Sequence, residues 1–194
     1  MSTDITAGSD ADPAVEDLAE LQARIEELEA ELSEVRDEVE NGPKKMVIIA
    51  TKGTLDMAYP PLILASTAAA FGYDVTVFHT FWGLEILHEK NSKNLKLSSV
   101  GNPNMPVPNA IAALPGMDRM TTRMMRNKIK DNEVASIAEL IDVSLESGVD
   151  LQACQMTIDL LGYDEADFYD GVTTGVGAAS AFQDMVEADI QLLV

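Results

Sequence analysis

One residue in this sequence carries chemistry that no other side chain can supply: Cys154, the single cysteine among 194 residues. It stands in LQACQMTIDLLG (151–162), where a short apolar run gives way to a helical pattern. The predicted position is therefore a strand-to-helix junction. Backbone N–H groups at a helix start point outward and favour negative charge, which raises the thiolate fraction of a thiol placed there. A thiolate attacks sulfane sulfur and carries it as Cys–S–SH. With no second cysteine in the chain, an internal dithiol cycle is excluded, and a single-thiol carrier or acceptor is what remains. Free cysteine is also a common packing residue, and the residues alone leave both readings open.

Around it stand second-rank candidates. Lys52, Gly53 and Thr54 follow a predicted strand and could hold an anionic persulfide or its donor, or could simply form a tight surface turn. His79 and Trp82 flank the end of a second predicted strand. His79 could relay a proton near neutral pH or serve as a hydrogen-bonded structural residue; Trp82 could bind or pack. Met156 could line the floor of the site. GVTTGVG (171–177) lacks the Lys and the spacing of a phosphate loop. One Cys and two His (His79 and His88) give no ligand set for zinc. No cofactor or metal is expected.

The elements that must position these residues read as alternating strands and helices. Met46–Ala50, Asp74–Thr80, Val149–Ala153 and Ile190–Val194 read as strands. Helical patterns fall between them, at Asp56–Phe71 with Asp56 as its cap, Phe81–Lys90, Glu133–Ser147, Gln155–Leu161 and Ala178–Glu187. This alternation predicts a mostly parallel sheet covered on both faces. Ligands of such sheets gather beyond the carboxyl ends of the strands, so the loops after Ala50, after His79 and around Cys154 should share one rim.

Ahead of this domain, residues 1–12 read as a disordered acidic tip and 13–42 as a coiled-coil helix. Leu18, Ile25, Leu32 and Val39 alternate with Leu21, Leu28 and Val35 as a heptad seam. In a parallel pair Arg24 would meet Glu29 of the second helix and Glu31 would meet Arg36. Self-association through residues 18–39 is the expectation; the other reading is one amphipathic helix laid on its own domain. Within 43–194, residues 91–132 form a Met- and Pro-rich insertion holding the basic cluster Arg119, Arg123, Arg126, Lys128 and Lys130. It could dock an acidic partner or be a solvated helix face.

Thirty-three acidic against 13 basic residues give a formal charge of -20. That balance repels nucleic acid and anionic membranes, and it suits either a salty cell interior or a merely solubilising surface. No apolar run is long enough to span a bilayer and no signal peptide is evident, so a cytoplasmic location is expected.

Three segments resemble the DsrE/DsrF/DsrH-like superfamily, in particular its DsrE2-type branch: VIIATKGTLDMAYPPLILASTAAAFGYDVTVFHTFWGLEIL (47–87), GNPNMPVPNAIAALPGMDRMTTRMMRNKI (101–129), and LQACQMTIDLLG followed by DGVTTGVGAAS. The resemblance implies a three-layer α/β/α sandwich and a role in handling reduced sulfur. It matches Cys154 to the family's persulfidated cysteine, and implies exchange with TusA-like or rhodanese-like carrier proteins. The heptad helix lies outside it. Two other readings compete: an oligomeric scaffold with a buried structural cysteine, and a flavin or nicotinamide oxidoreductase resting on architecture and glycines alone.

Overall fold

The computed structural model describes residues 13–42, 44–98 and 116–194. The acidic tip and residues 99–115 of the insertion lie outside them. The chain divides into two units, 1–42 and 43–194. The first holds α1 (Pro13–Asn41), about 43 Å long at 1.5 Å per residue. Pro13 takes the first helical position, where its missing N–H costs nothing. Leu21, Ile25, Leu28, Leu32, Val35 and Val39 stand exposed along it, and Arg24 pairs with Glu27 one turn away.

The second unit is built on five strands, β1 (Lys45–Ala50), β2 (Asp74–His79), β3 (Asp150–Cys154), β4 (Thr173–Val176) and β5 (Ile190–Leu193). All pair parallel, in the order β4-β3-β2-β1-β5. β1 is a near-continuous apolar run, and β2 and β3 bury polar His79 and Gln152 beside their apolar residues, because both faces of these central strands are covered. Between β1 and β2 lies α2 (Leu55–Ala70). A 3-10 turn (Phe81–Gly83) follows β2, leading into α3 (Leu84–Leu87), α4 (Glu89–Ser92), α5 (Met117–Asp131) and α6 (Ile137–Glu146). After β3 come α7 (Gln155–Leu161) and a 3-10 turn (Glu165–Asp167), and α8 (Ala178–Glu187) joins β4 to β5. Three connections step the same way across the sheet and the last returns to the far edge. Right-handed crossovers then put α8 on the face opposite α2, and Asp184 of α8 accordingly reaches Gln152 of β3 at 3.4 Å. Ile48, Leu62, Val77, Leu84, Ile86, Ile141, Leu151 and Ile158 are fully buried in the core.

Three local expectations are corrected. β4 arises from a stretch read as turns. It is a short edge strand, with Gly175 at φ 73 and a register irregularity opposite Gln152 and Cys154. The helix expected from Glu133 starts later: Glu133 turns at φ 55, and α6 begins at Ile137 with Ser136 as its N-cap. There the Ser136 Oγ accepts from the Glu139 N–H, and the Glu139 carboxylate accepts from the Ser136 N–H at 2.7 Å, a capping box. Thr54, not Asp56, occupies the N-cap of α2, without a side-chain cap; Asp56 lies in the first turn, where its carboxylate accepts from the Ser98 N–H at 2.9 Å. Pro60 and Pro61 fall inside α2 beyond its first turn.

Candidate functional site

Parallel pairing brings the carboxyl ends of β1, β2 and β3 to one rim. Two glycines let the rim loops close on each other. A Cβ on Gly53 would lie 2.0 Å from the Trp82 carbonyl oxygen and 2.8 Å from the Glu85 Cβ; one on Gly83 would lie 2.2 Å from the Ala50 oxygen. Only glycine fits either contact. The Thr80 N–H also donates to the Ala50 carbonyl at 3.0 Å, so the loop after β2 lies across the end of β1.

This packing shapes a cleft of about 570 Å³ lined by Lys52, Gly53, Thr54, Trp82 and Glu85 among others. A second hollow of about 350 Å³ shares Gly53, Thr54 and Glu85 and adds Asn91, Asn94 and Lys96. Trp82 stands 61% exposed at the cleft. The Thr54 Oγ1 is buried without a hydrogen-bond partner, which leaves a hydroxyl free to donate or accept. Glu85 accepts from the Tyr163 hydroxyl, which itself accepts from Asn91 Nδ2 at 3.3 Å. Burial, then the Glu85 carboxylate, push the Tyr163 phenol up to about 12, so it stays a donor and fixes the Glu85 side chain. Sequence reasoning missed Glu85, although it lies in the 47–87 segment that resembles the family, and Asn91, Asn94 and Lys96, which lie outside the resembling segments.

Cys154 sits one strand over. It ends β3 and is the N-cap of α7, at φ -61 and ψ 115, with no capping hydrogen bond from its side chain. It is a free thiol, 3% exposed, and it does not line the cleft. The two are linked through Thr157, in the first turn of α7. Its fully buried Oγ1 lies 3.3 Å from the Thr80 Oγ1 and accepts from the Phe81 N–H at 3.2 Å. Phe81, held this way, adopts φ 47, a conformation that costs a bulky residue about 1–3 kcal/mol. It stands 51% exposed, and Met156 and Leu160 on α7 are 58% and 65% exposed. The rim around Cys154 thus shows apolar side chains to solvent while the thiol stays covered. Met156 lines none of the cavities described.

His79 is fully buried and is not part of the cleft. Its Nδ1 lies 3.1 Å from the Val77 carbonyl, and its Nε2 has no partner. Burial lowers its pKa to about 4, against the opposing pull of the Val77 and Gln152 carbonyls, so the ring is neutral at pH 7. Among the described residues no group of three or more His, Cys, Asp or Glu is placed to hold a metal ion, and no helix is long and apolar enough to cross a membrane.

Residues 42–193 match the model of the DsrE/DsrF/DrsH-like family. The chain belongs to that family. It is 50% identical over 159 residues to the sulfur carrier protein DsrE2 of Allochromatium vinosum, spanning 78% of this chain and 98% of that protein. It is 33% identical over 156 residues to the uncharacterised protein YrkE of Bacillus subtilis, over 78% and 97% of the two chains. Among solved structures, the ychN protein from E. coli aligns with a TM-score of 0.45 at 13% identity, over 78% of this chain and 99% of that one. The family match covers the five-stranded unit, including the cleft and Cys154, and leaves α1 outside.

Proposed function

We propose that this DsrE-family protein traffics sulfur, carrying sulfane sulfur as a persulfide on Cys154. The observation that carries the reading is the place of the only thiol: the end of β3, at the start of α7, on the rim that also bears the Lys52–Thr54 cleft. Half-identity to a protein named a sulfur carrier, over nearly all of that protein, supports it. In the step itself the Cys154 thiolate attacks the outer sulfur of a persulfide or polysulfide donor. The new S–S bond leaves Cys154–S–S⁻, and the donor departs as a thiolate, so no external oxidant is needed. The reverse attack by an acceptor thiolate unloads the protein.

Lys52, with no ion-pair partner among the described residues, and the backbone of Gly53–Thr54 in the same cleft are suited to hold the anionic donor or the outgoing persulfide. Trp82 forms a wall of the same cleft. Met156 and Phe81 provide apolar surface for a protein partner, for which TusA-like or rhodanese-like carriers are the candidates. His79, neutral and enclosed, acts as a structural residue in this reading. Because Cys154 is 3% exposed, transfer requires the rim to open by a local movement of α7 or the 80–83 turn. No step needs a cofactor.

The 13–41 helix is assigned a separate role, self-association through its exposed heptad seam. The seam is narrow, and its flanking Arg24 and Arg36 can meet Glu29 and Glu31 of a parallel partner. A scaffold in which Cys154 only packs is the second reading, favoured by the burial of the thiol. Native-state labelling separates the two. A thiol reagent should modify Cys154 under native conditions in a carrier; modification only after denaturation supports the scaffold.

A further inference from the structure

Another cavity, of about 510 Å³, opens between α2, α5 and α6. It shares no lining residue with the rim cleft. An adjoining lobe of about 280 Å³ continues it along Leu55, Tyr59, Ile129 and Val134, adding Ile63 and Met125. The two lobes differ in chemistry. The smaller is walled almost entirely by apolar side chains, with Asp56 as its one charged residue. The larger has cations at its edge: Arg126 and Lys130, one turn apart on α5, and Lys93 at the C-cap of α4. Lys93 is matched by Glu89 at 3.1 Å. Arg126 spends a single side-chain N–H on the Leu95 carbonyl at 3.1 Å, and the Lys130 ammonium forms no salt bridge among the described residues. The two carboxylates that border the lobes, Asp56 and Glu139, are each turned to a backbone N–H, of Ser98 and Ser136. In a chain of net charge -20, a cavity mouth where Arg126 and Lys130 form no salt bridge among the described residues and outnumber the one lining carboxylate, Glu139, makes a local field of the opposite sign. The combined volume is that of a small-molecule pocket.

We propose that this two-lobed cavity binds an amphipathic anion, its charged head held by Arg126 and Lys130 and its apolar body lying along Leu55, Tyr59, Ile129 and Val134. The cations select the head by charge-assisted hydrogen bonds, and the apolar lobe accepts a chain without branching polar groups. A lipid surface is not required, since the cavity takes one chain and the rest of the protein repels an anionic bilayer.

The test is calorimetric titration of the full chain with decanoate kept below its micelle concentration, beside decanol and decyltrimethylammonium, which share the tail and differ in the head. Decanoate should bind with one-to-one stoichiometry, and the alcohol and the cation about tenfold to a hundredfold more weakly, as expected for hydrogen bonds to a charged group. The double variant Arg126→Gln, Lys130→Gln alters two exposed side chains and should weaken decanoate by a similar factor, with the melting midpoint unchanged. Ala138→Leu narrows the larger lobe and should weaken all three ligands. Equal affinity for the three heads, unchanged decanoate binding in the double variant, or no saturable binding of decanoate would overturn the proposal. So would sedimentation of the protein with phosphatidylglycerol vesicles in the absence of decanoate binding, which would make the cations a membrane contact.

Discussion

Protonating His79 should destabilise this protein from within. Its folded pKa lies near 4 because the ring is wholly enclosed, which outweighs the Val77 and Gln152 carbonyls that favour the charged form, whereas an unfolded histidine titrates near 6.5. Between those values the unfolded chain binds more protons than the folded one. The contribution of His79 is therefore full above pH 6.5 and is lost as the pH falls toward 4, where the loss levels off. A gap of roughly 2.5 pKa units at 1.36 kcal/mol each corresponds to about 3 kcal/mol. Titration of the many carboxylates overlaps this window, so wild type must be compared with His79→Asn, in which that background is common to both. The variant should be clearly less stable at pH 7 by chemical denaturation. Its deficit should shrink by about 3 kcal/mol at pH 4, because only the wild type loses the neutral-histidine contribution. A deficit that stays constant from pH 7 to pH 4 would mean that His79 titrates alike in the folded and unfolded chains, and would refute the argument from burial.

Three further outcomes are expected. Gly53→Ala should cost about 1–3 kcal/mol, because its Cβ would strike the Trp82 carbonyl oxygen. Trp82 is the only tryptophan, so its emission should shift with the cleft; an unchanged spectrum and melting point would contradict the packing. Thr157→Val should cost about 1–3 kcal/mol by leaving the Phe81 N–H without its partner and should speed native labelling of Cys154, while unaltered stability and labelling would show that this tie does not restrain the rim. Deleting residues 1–42 should lower the oligomeric mass seen by light scattering, and an unchanged mass would remove the self-association role from α1.

Much of the architecture was legible in the sequence because it follows from local rules. MVIIA is the unbroken apolar run of a strand buried on both faces, DVTVFH carries the β-branched and aromatic residues Val75, Thr76, Val77 and Phe78, and Gln155–Leu161 is bounded by a strand before it and Gly162 after it. β4 was hidden because an edge strand needs little apolar character, and TTGV carries a glycine at positive φ. α5 was hidden differently. Met120, Met124, Met125 and Ile129 recur at helical spacing, but basic residues fill the intervening positions and the composition masks the period. The Ser136–Glu139 box was a readable start signal that marks where α6 begins. For the site, Lys52, Gly53, Thr54 and Trp82 do meet in one cleft, since parallel pairing brings the strand ends together. That Cys154 lies beneath the rim and outside the cleft, and that Thr157 bridges to Phe81, depend on side-chain packing between segments some 75 residues apart, which no local pattern encodes.

The central claim is that Cys154 accepts sulfane sulfur. Intact-mass spectrometry of the native protein after incubation with polysulfide, beside Cys154→Ser, tests it most directly. The account predicts a gain of one or more sulfur atoms in the wild type alone, removed by a thiol reductant. A wild type that gains no sulfur under native conditions, or a Cys154→Ser protein that gains as much, would contradict it.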